Sequence, residues 1–192
     1  VAWAAANNAT YAEGYKHTGY FNRKYIARKG DLNTPDQNLT NPNNYRAIRY
    51  ADVLLMAAEA LNRGNISDER ARDYLNQVRK RVNLANVTAT GKQLRDAIRK
   101  ERRLELAFEN NRLYDLRRWK DDNGKAAICN VMGPNGSWVI YNTKTSTDQY
   151  EKSNQNESSS EGSAFTEGRD ELFPIPNSEI ILSGGSIKQN PG

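Results

Sequence analysis

Glu101 and Glu105 stand one helical turn apart in the run Arg99-Lys100-Glu101-Arg102-Arg103-Leu104-Glu105. A pair of acids on one face is the arrangement a glycosidase uses as acid and nucleophile. Their surroundings argue for another role, because Arg102, Arg103, Arg112, Arg117 and Arg118 crowd the same stretch. A carboxylate held by guanidinium groups makes a poor general acid at neutral pH. The expected role is an ion-pair network tying the helix that carries both acids to the helix after it. Other reactive side chains are sparse. One cysteine, Cys129, and one histidine, His17, allow neither an intrachain disulfide nor a His/Cys cluster for zinc or iron. Asp31, Asn33 and Asp36 have oxygen-ligand character, yet their spacing lacks the glycine and terminal glutamate of a calcium loop, so turn formation is the better expectation. These patterns predict no catalytic residue, no metal and no cofactor.

The elements that position these residues follow from periodicity. Residues 1–45 form a loop-rich lead-in, with Trp3, Tyr11, Tyr15, Tyr20, Phe21 and Tyr25 among Asn, Gly and Thr; Pro35, Pro42 and neighbouring asparagines favour turns. A helix is predicted from about Tyr45 to Asn62, because Ile48, Ala51, Leu55, Ala58 and Leu61 fall on one face. Gly64 and Asn65 break it. Ser67, followed by Asp68 and Glu69, caps a second helix with Ala71, Leu75, Val78 and Val82 as its buried stripe. So short a connection makes a helical hairpin. Thr90 is the candidate cap of a third helix with Leu94, Ala97, Ile98, Leu104, Ala107 and Phe108 inward, ending near Glu109 at Asn110 and Asn111. Leu113, Leu116 and Trp119 mark one more turn, with Trp119 in the core. Residues 120–192 are a loop-rich tail whose strand signal is Trp138 to Tyr141 and whose extended stretch is Leu172-Phe173-Pro174-Ile175-Pro176.

Composition sets the frame. The 192 residues are 37% hydrophobic and 27% charged, with a formal charge of +5, enough apolar content for one domain spanning 1–192. Basic and acidic residues interleave along the helices, a solvated, ion-paired pattern that argues against a nucleic-acid partner. No apolar run approaches the roughly 20 residues of a membrane helix. The chain opens on Val1, inside what reads as a domain, so a longer or processed protein is expected.

Five blocks, in order, resemble the SusD/RagB C-terminal region. They are Arg49-Tyr50-Ala51-Asp52-Val53-Leu54-Leu55-Met56-Ala57-Ala58-Glu59-Ala60-Leu61, Leu75-Asn76-Gln77-Val78-Arg79, and Glu101-Arg102-Arg103-Leu104-Glu105-Leu106-Ala107-Phe108-Glu109. Arg112-Leu113-Tyr114-Asp115-Leu116-Arg117-Arg118-Trp119 follows, then Leu172-Phe173-Pro174-Ile175-Pro176 with Gln189-Asn190-Pro191-Gly192 at the close. Asn110 stands where the family usually has glycine, and Tyr114 where phenylalanine or tryptophan is usual. The resemblance implies a mainly α protein, a tetratricopeptide-like helical hairpin plus further helices with long loops and short strands, here a fragment of a SusD-like α/α superhelix. It implies a non-enzymatic surface lipoprotein of the outer membrane that binds glycans and delivers them to a SusC-like TonB-dependent transporter. Its lipid anchor would lie outside this fragment. The alternative is a helical-repeat adaptor that binds proteins or peptides.

Within that reading Trp3, Tyr11 and Tyr15 are the candidate ligand-binding residues. They sit among polar loop residues with no apolar periodicity to bury them, and sugar rings present flat C–H faces that stack on exposed Trp and Tyr. The family's glycan-contacting aromatics come partly from loops just before the helix that opens with Arg-Tyr-Ala.

Overall fold

Residues 23–25, 44–132, 137–142, 147–152 and 165–190 are described by the computed structural model. They fall into two compact units, one built within residues 22–112 and the other from residue 113 onward.

The first unit is helical. After a short 3-10 turn at Arg23–Tyr25, it holds α1 (Tyr50–Arg63), α2 (Asp68–Lys80) and α3 (Gly91–Glu105). Helix α1 begins five residues later than its apolar spacing predicts. Arg49 is extended at φ −120° and ψ 155°, and Ile48, expected on the core face, is 70% exposed. The helix closes as expected. Asn65 enters the left-handed region at φ 52° and lets the Ile66 N–H reach back to the Leu61 carbonyl. Ser67 then caps α2, its hydroxyl accepting from the Arg70 N–H at 3.2 Å.

One apolar core joins the three helices: Leu54, Leu55 and Ala58 of α1, Ala71, Leu75 and Val78 of α2, and Leu94 and Ile98 of α3. Val82 falls beyond the end of α2 and is 45% exposed. The loop between α2 and α3 is held by side chains. Asn76 donates to the Val87 carbonyl and accepts from its N–H, and Asn62 and Asp68 bind the Gly91 carbonyl and N–H. Helix α3 ends at Glu105, four residues earlier than predicted. Its last carbonyl accepts from Lys24 and Arg49, so those side chains supply the donors that another helical turn would have provided. Leu106 therefore turns inward, while Leu104 and Phe108, predicted inward, are 60% and 68% exposed. Phe108 and Asn110 both take φ 64°.

The second unit opens within α4 (Arg112–Arg118), followed by α5 (Ala127–Met132), strands β1 (Ser137–Asn142) and β2 (Thr147–Lys152), and α6 (Asn177–Leu182). Its core is Leu116, Ala126, Ile128, Cys129 and Phe165, and Trp119 is buried as expected. Strand β1 falls on the predicted Trp138 to Tyr141 signal and pairs with β2 in an antiparallel hairpin. Phe173 to Pro176 are non-helical as predicted. Gln189 bonds both the N–H and the carbonyl of Ile175, and Asn190 donates to the Phe173 carbonyl. The last two sequence blocks therefore close on each other. The architecture is mainly helical with short strands, and no helix among the described residues is long and apolar enough to cross a membrane.

Candidate functional site

The acid pair singled out by the sequence is spent on structure. Glu101 is buried and accepts from Arg79 at 2.6 Å. Glu105 is engaged through both oxygens, Oε1 by Arg49 at 3.0 Å and Oε2 by Arg81 at 2.6 Å. These partners come from α2 and from the residues flanking α1 and α2. The network thus binds α3 back to the hairpin, where the sequence had suggested a tie to the following helix. Arg117 instead donates to the Glu171 carbonyl, and Arg118 pairs with Asp115. Arg103 is exposed. With both oxygens of Glu105 engaged and Glu101 buried, the pair cannot straddle a glycosidic bond.

Two further ionic contacts were not foreseen. Asp52 and Arg102 form a buried pair at 2.7 Å between α1 and α3. The signal was present: Asp52 lies three residues before Leu55 on the inward face of α1, and a charge in an apolar stripe calls for a buried partner. The second is Glu109, held by Arg49 through both oxygens and by Lys24. Burial works against its charge, but the hydrogen bonds from Arg49 and Lys24 win and hold its carboxyl below the ordinary glutamate value. A lowered folded-state value contributes stability that is complete above the unfolded pKa of about 4.3 and is lost as pH falls through the folded value. Melting temperature should therefore fall below about pH 4.5 more steeply in the native chain than in Glu109→Gln. Parallel acid profiles would remove Glu109 from that role.

Among the described residues, each unit holds a concavity. In the first, Ala51, Leu54 and Val78 floor a groove of about 570 Å³ rimmed by Arg49, Tyr50, Gln77, Lys80 and Arg81. Tyr50 is 73% exposed at its mouth. An exposed ring beside an amide and cations suits a ligand that is apolar on one face and polar at its edge. In the second unit, a hollow of about 500 Å³ is lined by Arg117, Lys120, Lys125, Glu167, Arg169 and Glu171, among others. The loop entering it needs Gly124, which sits at φ 80°. Lys125 pairs with Glu167. Beside them Cys129 donates to Glu171 at 3.1 Å, and burial together with Glu171 pushes the thiol up to about 11. A thiol so raised is no nucleophile at neutral pH.

Trp3, Tyr11 and Tyr15, with His17, Asp31, Asn33 and Asp36, lie outside the described residues. Among the described residues no group of three or more His, Cys, Asp or Glu could hold a metal ion.

A family model described as the SusD family matches residues 1–192. SusD-like protein P2 of Formosa agariphila is 34% identical over 158 residues, 78% of this chain and 26% of its own. Among solved structures, a SusD-like protein of Bacteroides fragilis matches with TM-score 0.55 at 33% identity, over 78% of this chain and 26% of its own. Surface glycan-binding protein A of Bacteroides thetaiotaomicron matches with TM-score 0.59 at 27% identity, over 98% of this chain and 34% of its own. The chain thus spans about a quarter to a third of the length of these proteins.

Proposed function

This chain belongs to the SusD family, and from that premise we propose that it is part of a cell-surface protein that captures oligosaccharides or polysaccharides without cleaving them. In this reading the captured glycan passes to a SusC-like TonB-dependent transporter in the outer membrane. The protein is a surface lipoprotein there, attached through a lipid anchor outside residues 1–192. The observation that carries the reading is the likeness, over 98% of the chain, to a protein named for surface glycan binding. Residues 46–119 serve as scaffold, and the lead-in 1–45 and tail 120–192 carry the variable loops. A core-packed helical hairpin suits this work, because it holds divergent loops without needing them for its own stability. The apolar floor of the α1/α2 groove, Ala51, Leu54 and Val78, favours peptide binding as the second reading.

Trp3, Tyr11 and Tyr15 are the proposed sugar-stacking residues. Replacing any one of them by alanine in the full-length protein should weaken retention in polysaccharide-containing native gels severalfold while leaving the melting temperature nearly unchanged. The contrast is diagnostic, since cutting a buried aromatic to alanine costs about 3–5 kcal/mol. Strong destabilisation at all three positions would assign them to a core. Unaltered retention in stable variants would place the binding surface elsewhere.

A further inference from the structure

The polar chemistry of the α1/α2 groove is one-sided. Above a floor that includes the buried Leu54 and Val78, its polar side chains are Arg49, Tyr50, Gln77, Lys80 and Arg81, with no carboxylate among them. Arg49 is spent on Glu105 and Glu109. The others keep capacity for a ligand. Arg81 gives Nη2 to Glu105 while its side chain stays 59% exposed. Gln77 and Lys80, three residues apart on α2, are both exposed, and among the described residues neither side chain has a hydrogen-bond or ion-pair partner. Tyr50, the first residue of α1, holds its ring 73% exposed at the mouth.

This inventory of donors and acceptors selects a ligand. An ammonium and a guanidinium only donate, whereas an amide or a phenol can do both. The edge of a neutral sugar carries hydroxyl protons that need acceptors, and the side chains of the groove supply acceptors only at the Gln77 carbonyl and the Tyr50 hydroxyl. An edge that accepts without donating, a carboxylate or a sulfate ester, matches Lys80 and Arg81 better. The rest of the ligand must present an apolar face, as the C–H side of a pyranose ring does to a tyrosine. At about 570 Å³ the groove lies within the range of about 300–1,000 Å³ usual for small-ligand sites.

We propose that the α1/α2 groove is a subsite for one acidic sugar residue of the captured glycan. Its ring face lies on Tyr50, its carboxylate or sulfate meets Lys80 and Arg81, and Gln77 bonds a neighbouring hydroxyl. The inference rests on the glycan-capture reading and names the ligand class of one site within it.

The test is isothermal titration calorimetry of the full-length protein with an oligogalacturonide, a sulfated galactan oligosaccharide and a neutral cello-oligosaccharide, with an acidic peptide beside them. At least one acidic oligosaccharide should bind more tightly than the neutral one, and which of the two binds tells a carboxylate from a sulfate. Tyr50→Ala should weaken that binding on the order of tenfold, while Tyr50→Phe, which keeps the ring, should retain most of it. Lys80→Gln should weaken it about threefold and flatten its dependence on salt. Arg103→Gln removes the same charge at an exposed position outside the groove and should change nothing. All four positions changed are exposed, so melting temperatures should stay close to that of the native protein. Equal affinity for neutral and acidic oligosaccharides, or unaltered affinity in Tyr50→Ala and Lys80→Gln, would overturn this inference and leave the glycan reading standing. Preference for the acidic peptide, lost in Tyr50→Ala, would assign the groove to peptide capture and overturn it too. Binding of no oligosaccharide would overturn the glycan reading itself.

Discussion

Arg102→Ala should lower the melting temperature of the helical unit by more than about 10 °C, while Arg103→Ala, one residue along, should leave it nearly unchanged. Arg102 is 4% exposed and bonded to Asp52, itself 7% exposed; removing one partner of a buried pair leaves the other charge uncompensated and costs about 3–5 kcal/mol. Each kcal/mol shifts the midpoint by about 4–8 °C in a unit of this size. Arg103 is exposed, and surface substitutions of that kind stay within about 0.5 kcal/mol. Far-UV circular dichroism during heating separates the two variants. Adding Asp52→Ala to Arg102→Ala should recover part of the loss, because the orphaned charge goes with it. Equal melting temperatures for both single variants would show that the α1–α3 pair contributes nothing to the fold.

Trp119→Ala should be as damaging to the second unit, about 3–5 kcal/mol. Trp119 is 3% exposed at the link between α4 and α5, where its backbone N–H donates to the Asp115 carbonyl and its backbone carbonyl accepts from the Ala127 N–H; alanine keeps those bonds and loses the buried ring. The expected signature is early melting of that unit with unchanged glycan retention in the fraction still folded. A stable variant that had lost glycan retention would make Trp119 a ligand platform and not a core residue.

How much of this was legible in the sequence depends on how local the controlling force is. The helical hairpin was readable because its signals are local: the 3–4 spacing of Leu55, Ala58, Ala71, Leu75 and Val78, the Asn65 turn and the Ser67 cap. Both ends that were misplaced are set by contacts distant in sequence. Arg49 leaves the helix to reach Glu105 and Glu109, and the same arginine with Lys24 stops α3 at Glu105. Periodicity carries no information about such partners. The ion pairs of Glu101 and Glu105 were foreseen in kind but assigned to the wrong arginines, for a similar reason: Arg79 and Arg81 are some two dozen residues away and adjacent only once the hairpin has folded. Helices α5 and α6, six residues each, are too short for periodicity to separate from loop. The candidate ligand aromatics were chosen by the absence of a burial pattern, which selects residues by type and neighbourhood and assigns them no geometry.

The central claim, capture without cleavage, is tested most directly by one measurement. The chain is run through native gels cast with a panel of polysaccharides, and each polysaccharide is assayed for new reducing ends after prolonged incubation with the same protein. The account predicts retardation in at least one gel and no new reducing ends in any. Reducing ends that rise with protein concentration, or free migration through every gel, would contradict it.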